Sequence, residues 1–154
     1  MVAKEKKVAI FFDGASKGNP GKARAGGLIF YPGGRLETSF SWGVGQLTNN
    51  QAKLFALLKA CQLAKAAGHN NIQIFGDSEI IIKVLNSATK FNNLSLNMTM
   101  QRLHFILIDY VYVFSYHILR DLNKLADYKA NQGCLLPPGM LSMKEGSSSM
   151  HFIP

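Results

Sequence analysis

Hydrophobic and polar positions divide the chain into short β-type runs, one long amphipathic segment and a set of alternating units. Val8 to Phe12 is an apolar run rich in β-branched and aromatic residues that ends at Asp13, which predicts a central strand. Gly18-Asn19-Pro20-Gly21 predicts a turn. Gly26 to Tyr31 and Leu36 to Gly43 predict two more strands, joined by the hairpin chemistry of Pro32-Gly33-Gly34. The first three strands are therefore expected as an antiparallel meander. Asn50 to Ala67 predicts a helix: Leu54, Leu57, Leu58 and Cys61 recur at i, i+3, i+4 and i+7, and Gly68 stops it. Ile72 to Phe75 predicts a fourth strand, Ser78 to Leu85 a short helix, Leu94 to Leu107 a longer one and Tyr112 to Ile118 a fifth strand. Asp121 to Gln132 predicts a closing helix stopped by Gly133. A meander followed by βα units makes a mixed sheet with helices packed on it. The expected class is α/β, with a five-stranded mixed sheet flanked by helices.

Length and composition add bounds. The chain of 154 residues fits one domain, and 47% hydrophobic residues suffice for a sizeable core. The domain is expected over 7–134, after an N-terminal extension at 1–6. A disordered tail is expected over 135–154, where Pro-Pro-Gly, a Ser run and missing periodicity prevail. The formal net charge of +8 points to a polyanionic partner, although charge alone does not separate nucleic acid from an anionic membrane. The one membrane-like run, Leu103 to Leu119, is short for a span and is broken by His104, Asp109, Ser115 and His117, so no membrane is expected. The charged start, Met1 to Lys7, leads into no signal-peptide apolar region; an intracellular monomer is expected, with no compartment named. Cys61 and Cys134 lack metal-ligand spacing, and a reducing environment is the default.

Chemistry concentrates at strand ends. Asp13 and Asp77 each close an expected central strand, at the sheet edge where ligands bind in open α/β folds. A lone Asp there is ordinary turn chemistry. Two on adjacent strands can share a divalent cation, and Asp127 on the last helix supplies a third carboxylate.

Four segments in order carry a resemblance. Asp13-Gly14-Ala15-Ser16-Lys17-Gly18-Asn19-Pro20-Gly21, Thr48-Asn49-Asn50-Gln51-Ala52, Gly76-Asp77-Ser78, and His117-Ile118-Leu119-Arg120 followed by Asn123 and Ala126-Asp127 resemble the motifs of type 1 ribonuclease H. They cover about residues 7–133 and are most similar to compact plant and retroelement-related members. The resemblance implies the ribonuclease H fold and endonucleolytic cleavage of the RNA strand in RNA–DNA hybrids. It implies Mg²⁺, replaceable by Mn²⁺, held by Asp13, Asp77 and Asp127, with His117 assisting water activation or product release. It places Gly18, Asn19, Thr48, Asn49, Asn50, Gln51 and Asn123 against the substrate, where short amides and backbone N–H groups read the RNA 2′-hydroxyl. Thr48-Asn49-Asn50 also reads as a plain helix N-cap.

Position 53 departs from that family. The resemblance implies Glu, and the chain has Lys53. With Asn50 as N-cap, Lys53 would be the N3 residue, where Glu or Gln completes a capping box and a cation opposes the helix dipole. Three consequences stay open: a crippled enzyme that still binds hybrid, a one-metal enzyme using the ammonium near the scissile phosphate, or a Lys that swings into solvent and leaves weak activity. A non-catalytic nucleic-acid-binding module and a retroelement-derived interaction domain are the alternatives to a nuclease.

Overall fold

The computed structural model describes residues 7–87, 89–146 and 150–153. Its strands are β1 (Val8–Gly18), β2 (Gly21–Phe30), β3 (Leu36–Leu47), β4 (Asn71–Gly76), β5 (Tyr112–His117), β6 (Leu141–Glu145) and β7 (Met150–Ile153). Its helices are α1 (Asn49–Ala66), α2 (Glu79–Asn86), α3 (Leu94–Leu107) and α4 (Lys124–Gln132). The strands form one sheet in the order β5-β4-β1-β2-β3-β6-β7. β1, β2 and β3 make the expected antiparallel meander, while β4 lies parallel to both β1 and β5.

The sheet differs from the expected five strands. β6 pairs antiparallel with Thr38–Trp42 of β3, and β7 pairs with β6. The expected disordered tail is thus corrected over 141–146 and 150–153. The reason is the outer edge of β3: its unpaired backbone groups are a template for another strand, and Leu141 is buried there. A strand of five residues between Pro-Pro-Gly and a Ser run is too short to show in the pattern. The expected extension at 1–6 lies outside the described residues, as do 147–149 and 154.

The core lies between the sheet and α1. Val8, Ile10 and Phe12 of β1 alternate inward with Ile72 and Ile74 of β4. The expected stripe of Leu54, Leu57, Leu58 and Cys61 meets them, and α3 adds Leu96, Met100 and Leu103 from outside. Small residues on α1 let backbones approach closely. A Cβ placed on Gly14 would fall 2.5 Å from the Ala52 carbonyl carbon and 2.6 Å from the Lys53 nitrogen. Backbone cannot rotate away from that clash. Gly14→Ala is therefore expected to lift α1 from β1 and lower stability by about 2–3 kcal/mol; urea unfolding with an unchanged midpoint would refute the close packing.

α4 covers the opposite face of β1, β2 and β3, with Ala130 against Gly26. It leaves the β4–β5 end open, so Phe114 and Tyr116 stay 51% and 39% exposed. The closing helix also starts later than expected. Arg120–Leu122 forms a 3-10 turn, and Asn123 (φ −116°, ψ 21°) separates it from α4. There the Asn123 amide turns into the core and donates to the Phe12 carbonyl at 3.0 Å.

Candidate active site

The β1–β4 register sets the heart of the site. Phe11 pairs with Phe75 in parallel register, so Asp13 and Asp77, each two residues further on, emerge at the same level of neighbouring strands. The Asp13 carboxylate accepts the Gly14 N–H at 2.8 Å. The Asp77 carboxylate accepts the Asn123 amide at 3.1 Å. His117 ends β5 opposite Gly76, which brings it to the same end of the sheet with an exposed ring.

Lys53 enters from α1. Its Nζ donates to Asp13 Oδ1 at 2.9 Å and to Asp77 Oδ1 at 3.0 Å. The side chains of Lys53, Asp13 and Asp77 are 16%, 7% and 4% exposed. These are charge-assisted bonds shielded from most solvent. Burial alone would lower the Lys53 pKa, but the two carboxylates outweigh it and hold the ammonium above its usual range. Burial pushes Asp77 up, but hydrogen bonds from Lys53 and Asn123, with the charges of Lys53 and Arg120, hold it below the usual carboxylate value. At Asp13 burial prevails over the same ammonium and raises the pKa. One cation serves two carboxylates, and Asp77, which also has Asn123 and Arg120, is served better than Asp13.

The helix start corrects an expectation. Thr48, not Asn50, is the N-cap of α1. Gln51 is the N3 residue: its side chain accepts the Thr48 N–H at 2.9 Å, while its own N–H donates to Thr48 Oγ1 at 3.2 Å. The capping box is complete without Lys53. Nothing in local helix geometry disfavours Lys53; its consequence is purely tertiary.

Beside this centre lies a polar rim. Asn19 Oδ1 accepts the Asn49 N–H at 3.0 Å, and Asn49 Oδ1 accepts the Ser16 N–H at 2.8 Å. These bonds tie the turn after Gly18 to the start of α1. Thr48, Asn49 and Asn50 share with Asn19 a cavity of about 450 Å³, whose far wall is Phe91, Asn92 and Asn93. Gln51 Nε2 donates to Ser95 Oγ at 2.7 Å across the same gap. Asn92, Asn93 and Ser95 escape sequence reading because their only local signal is a helix N-cap at Asn93. Arg120 escapes it as well: nothing in its neighbours says that its charge reaches Asp77.

Two expected site residues stand apart. Asn123 is 1% exposed and braces Asp77 and Phe12, so it is a positioning residue and not a substrate contact. Asp127 is exposed on α4, where Asn131 of the same helix donates to it at 3.4 Å. Among the described residues, no group of three His, Cys, Asp or Glu side chains is arranged to hold a metal ion. Mg²⁺ requires near-octahedral oxygen donors and gives up water reluctantly. Here an ammonium already bridges the two carboxylates that would offer them. An ammonium and a divalent ion ~4 Å apart repel by about 8 kcal/mol at an effective dielectric of 20. The residues present do not fit a divalent cation.

Known proteins share this architecture. The family described as reverse transcriptase-like matches residues 11–133. Ribonuclease HI of Halobacterium salinarum is 33% identical over 126 residues, covering 82% of this chain. A putative ribonuclease H protein of Arabidopsis thaliana is 30% identical over 135 residues, covering 88% of this chain. The chain spans 63% of the archaeal protein's length and 22% of the plant protein's. The crystal structure of RNase H1 from H. salinarum superposes with a TM-score of 0.79 at 33% identity, covering 82% of this chain and 96% of that one. LC11-RNase H1, solved in complex with RNA/DNA hybrid, superposes with a TM-score of 0.78 at 27% identity, covering 83% and 96%. No helix among the described residues is long and apolar enough to cross a membrane.

Proposed function

Because the chain belongs to the ribonuclease H family, we propose that it engages RNA–DNA hybrid and that its inherited endonucleolytic cleavage of the RNA strand is strongly impaired. The hybrid is met by the rim of Asn19, Thr48, Asn49 and Asn50, whose amides and hydroxyl suit 2′-hydroxyl and phosphate oxygens. The net charge of +8 favours a polyanion, with binding that weakens as salt rises. A relative's capture with RNA/DNA hybrid supports the substrate class.

Lys53 bridging Asp13 and Asp77 is the observation that carries the impairment. Hydrolysis in this family relies on divalent cations that activate water and stabilise the leaving oxygen. The two carboxylates that would serve it are committed to an ammonium.

The test is fluorescence anisotropy with a labelled RNA–DNA hybrid, a duplex DNA and a single-stranded RNA of one sequence, followed by gel analysis of the hybrid after incubation with Mg²⁺. The hybrid is expected to bind at least about tenfold more tightly than the other two, a difference of 1.4 kcal/mol. Its RNA strand is expected to remain almost intact. Fast metal-dependent cleavage would refute the impairment. Equal affinity for all three nucleic acids would remove the hybrid reading and favour a domain that contacts protein.

A further inference from the structure

The two carboxylates need a counter-charge, and the chain provides it from within. Lys53 Nζ lies within hydrogen-bond distance of one oxygen on each of Asp13 and Asp77. Asp77 Oδ2 is taken by Asn123, and Asp13 Oδ1 also holds the Gly14 N–H. Nor does Lys53 hang from a loose element. Its flanking residues Ala52 and Leu54 are fully buried, and its backbone nitrogen lies tight against Gly14. The capping box at Thr48 and Gln51 fixes the turn before it. A side chain launched from so constrained a backbone, with partners on both sides, is held between the strands.

We infer that the Lys53 ammonium is the resident cation of this centre, so that Asp13 and Asp77 take no divalent metal and the domain engages hybrid without one. This rests on the hybrid-binding reading for its second half; the first half stands on the ion-pair geometry alone. A divalent cation entering here would have to displace two charge-assisted bonds and then remain beside the displaced ammonium. Asp127, the third carboxylate of the family motif, is held by Asn131 on its own helix. Hybrid phosphates approaching the rim would meet a centre whose two negative charges are already partly balanced.

The experiment has two readouts on the full chain. The first is titration with Mn²⁺, followed by the electron paramagnetic resonance of the free ion, and with Mg²⁺ by calorimetry. The unmodified protein is expected to show no saturable binding at concentrations that saturate Lys53→Glu. Lys53→Gln, which removes the charge without adding a ligand, is expected to fall between them. Thermal melts of both variants check that they fold. If neither folds, paramagnetic broadening of the Asp13 and Asp77 resonances by Mn²⁺ in the unmodified protein decides alone: absence supports the inference, and selective broadening overturns it. Saturable binding to the unmodified protein overturns it as well.

The second readout is hybrid affinity in Mg²⁺ and in EDTA at matched ionic strength. A change below about twofold is expected, since the phosphate contacts depend on total salt and on no specific ion. A loss of about tenfold or more in EDTA overturns the metal-free binding mode. If hybrid fails to bind in either buffer, the proposed function falls, while the metal titration still decides the first half.

Discussion

Lys53→Glu is expected to cleave the RNA strand of a hybrid in Mg²⁺ at least about a hundredfold faster than the unmodified protein, close to 3 kcal/mol in the barrier. The substitution removes the ammonium that bridges Asp13 and Asp77 and puts a carboxylate on the same turn of α1. The rest of the centre is already in place. Gly14 and Asn123 keep their bonds to the two aspartates, and the rim from Asn19 to Asn49 does not involve residue 53. The local charge changes by two units, from +1 to −1 at one side chain, where repulsion toward a divalent ion is greatest. Single-turnover cleavage of an end-labelled hybrid measures the gain. Lys53→Glu combined with Asp13→Asn should return to baseline, which separates a repaired centre from a contaminating nuclease. No gain in a folded Lys53→Glu protein would mean that position 53 is not what limits cleavage.

Lys53→Met is expected to cost about 3 kcal/mol of stability, because removing one partner of a buried ion pair leaves the other charges unmatched. Here two carboxylates, 7% and 4% exposed, would face each other without a cation. Removing all three charges together, with Asp13→Asn and Asp77→Asn added, should recover much of the loss, since an uncharged cluster avoids the desolvation penalty. The effect has a pH signature. The Lys53 pKa is raised in the fold above its ordinary 10.5. Its contribution is therefore full below 10.5 and lost as pH climbs through the higher folded value. Urea unfolding should show the gap between the unmodified protein and Lys53→Met constant near neutrality and closing in strong alkali. A gap that is absent at neutral pH would show that the ammonium spends its time in solvent.

Much of the fold was legible because the signals are short-range. The run from Val8 to Phe12 had to be a buried strand, and the spacing of Leu54, Leu57, Leu58 and Cys61 had to be one face of a helix. Both hold in the structure. Gly68, at φ +90°, follows the end of α1 as a helix-terminating glycine should. The misses occur where a local pattern admits two answers. Thr48 and Asn50 are both good N-caps, and the choice fell to Thr48 because Gln51 completes its capping box. The segment from Leu141 to Glu145 is too short and too flanked by turn residues to declare itself. It becomes a strand because β3 offers it an edge.

The candidate site divides in the same way. Sequence alone marked Asp13 and Asp77 as strand-end carboxylates, Thr48 to Gln51 as a helix start, and Lys53 as a cation where the family motif carries an acid. It also determined the α/β class and the central βα order, since strand periodicity, helix periodicity and turn chemistry each act over a few neighbouring residues. Only the tertiary structure decided that Lys53 meets both aspartates at once, across 40 and 24 positions of chain. It alone decided that Asn123 turns inward to Phe12, 111 positions away, and that Asp127 stays on the surface of its own helix. Those outcomes depend on how β1, β4, α1 and α4 pack, on close approaches such as Gly14 against Ala52, and on the loss of water around the charges. None of these has a period or a spacing that the linear chain could display.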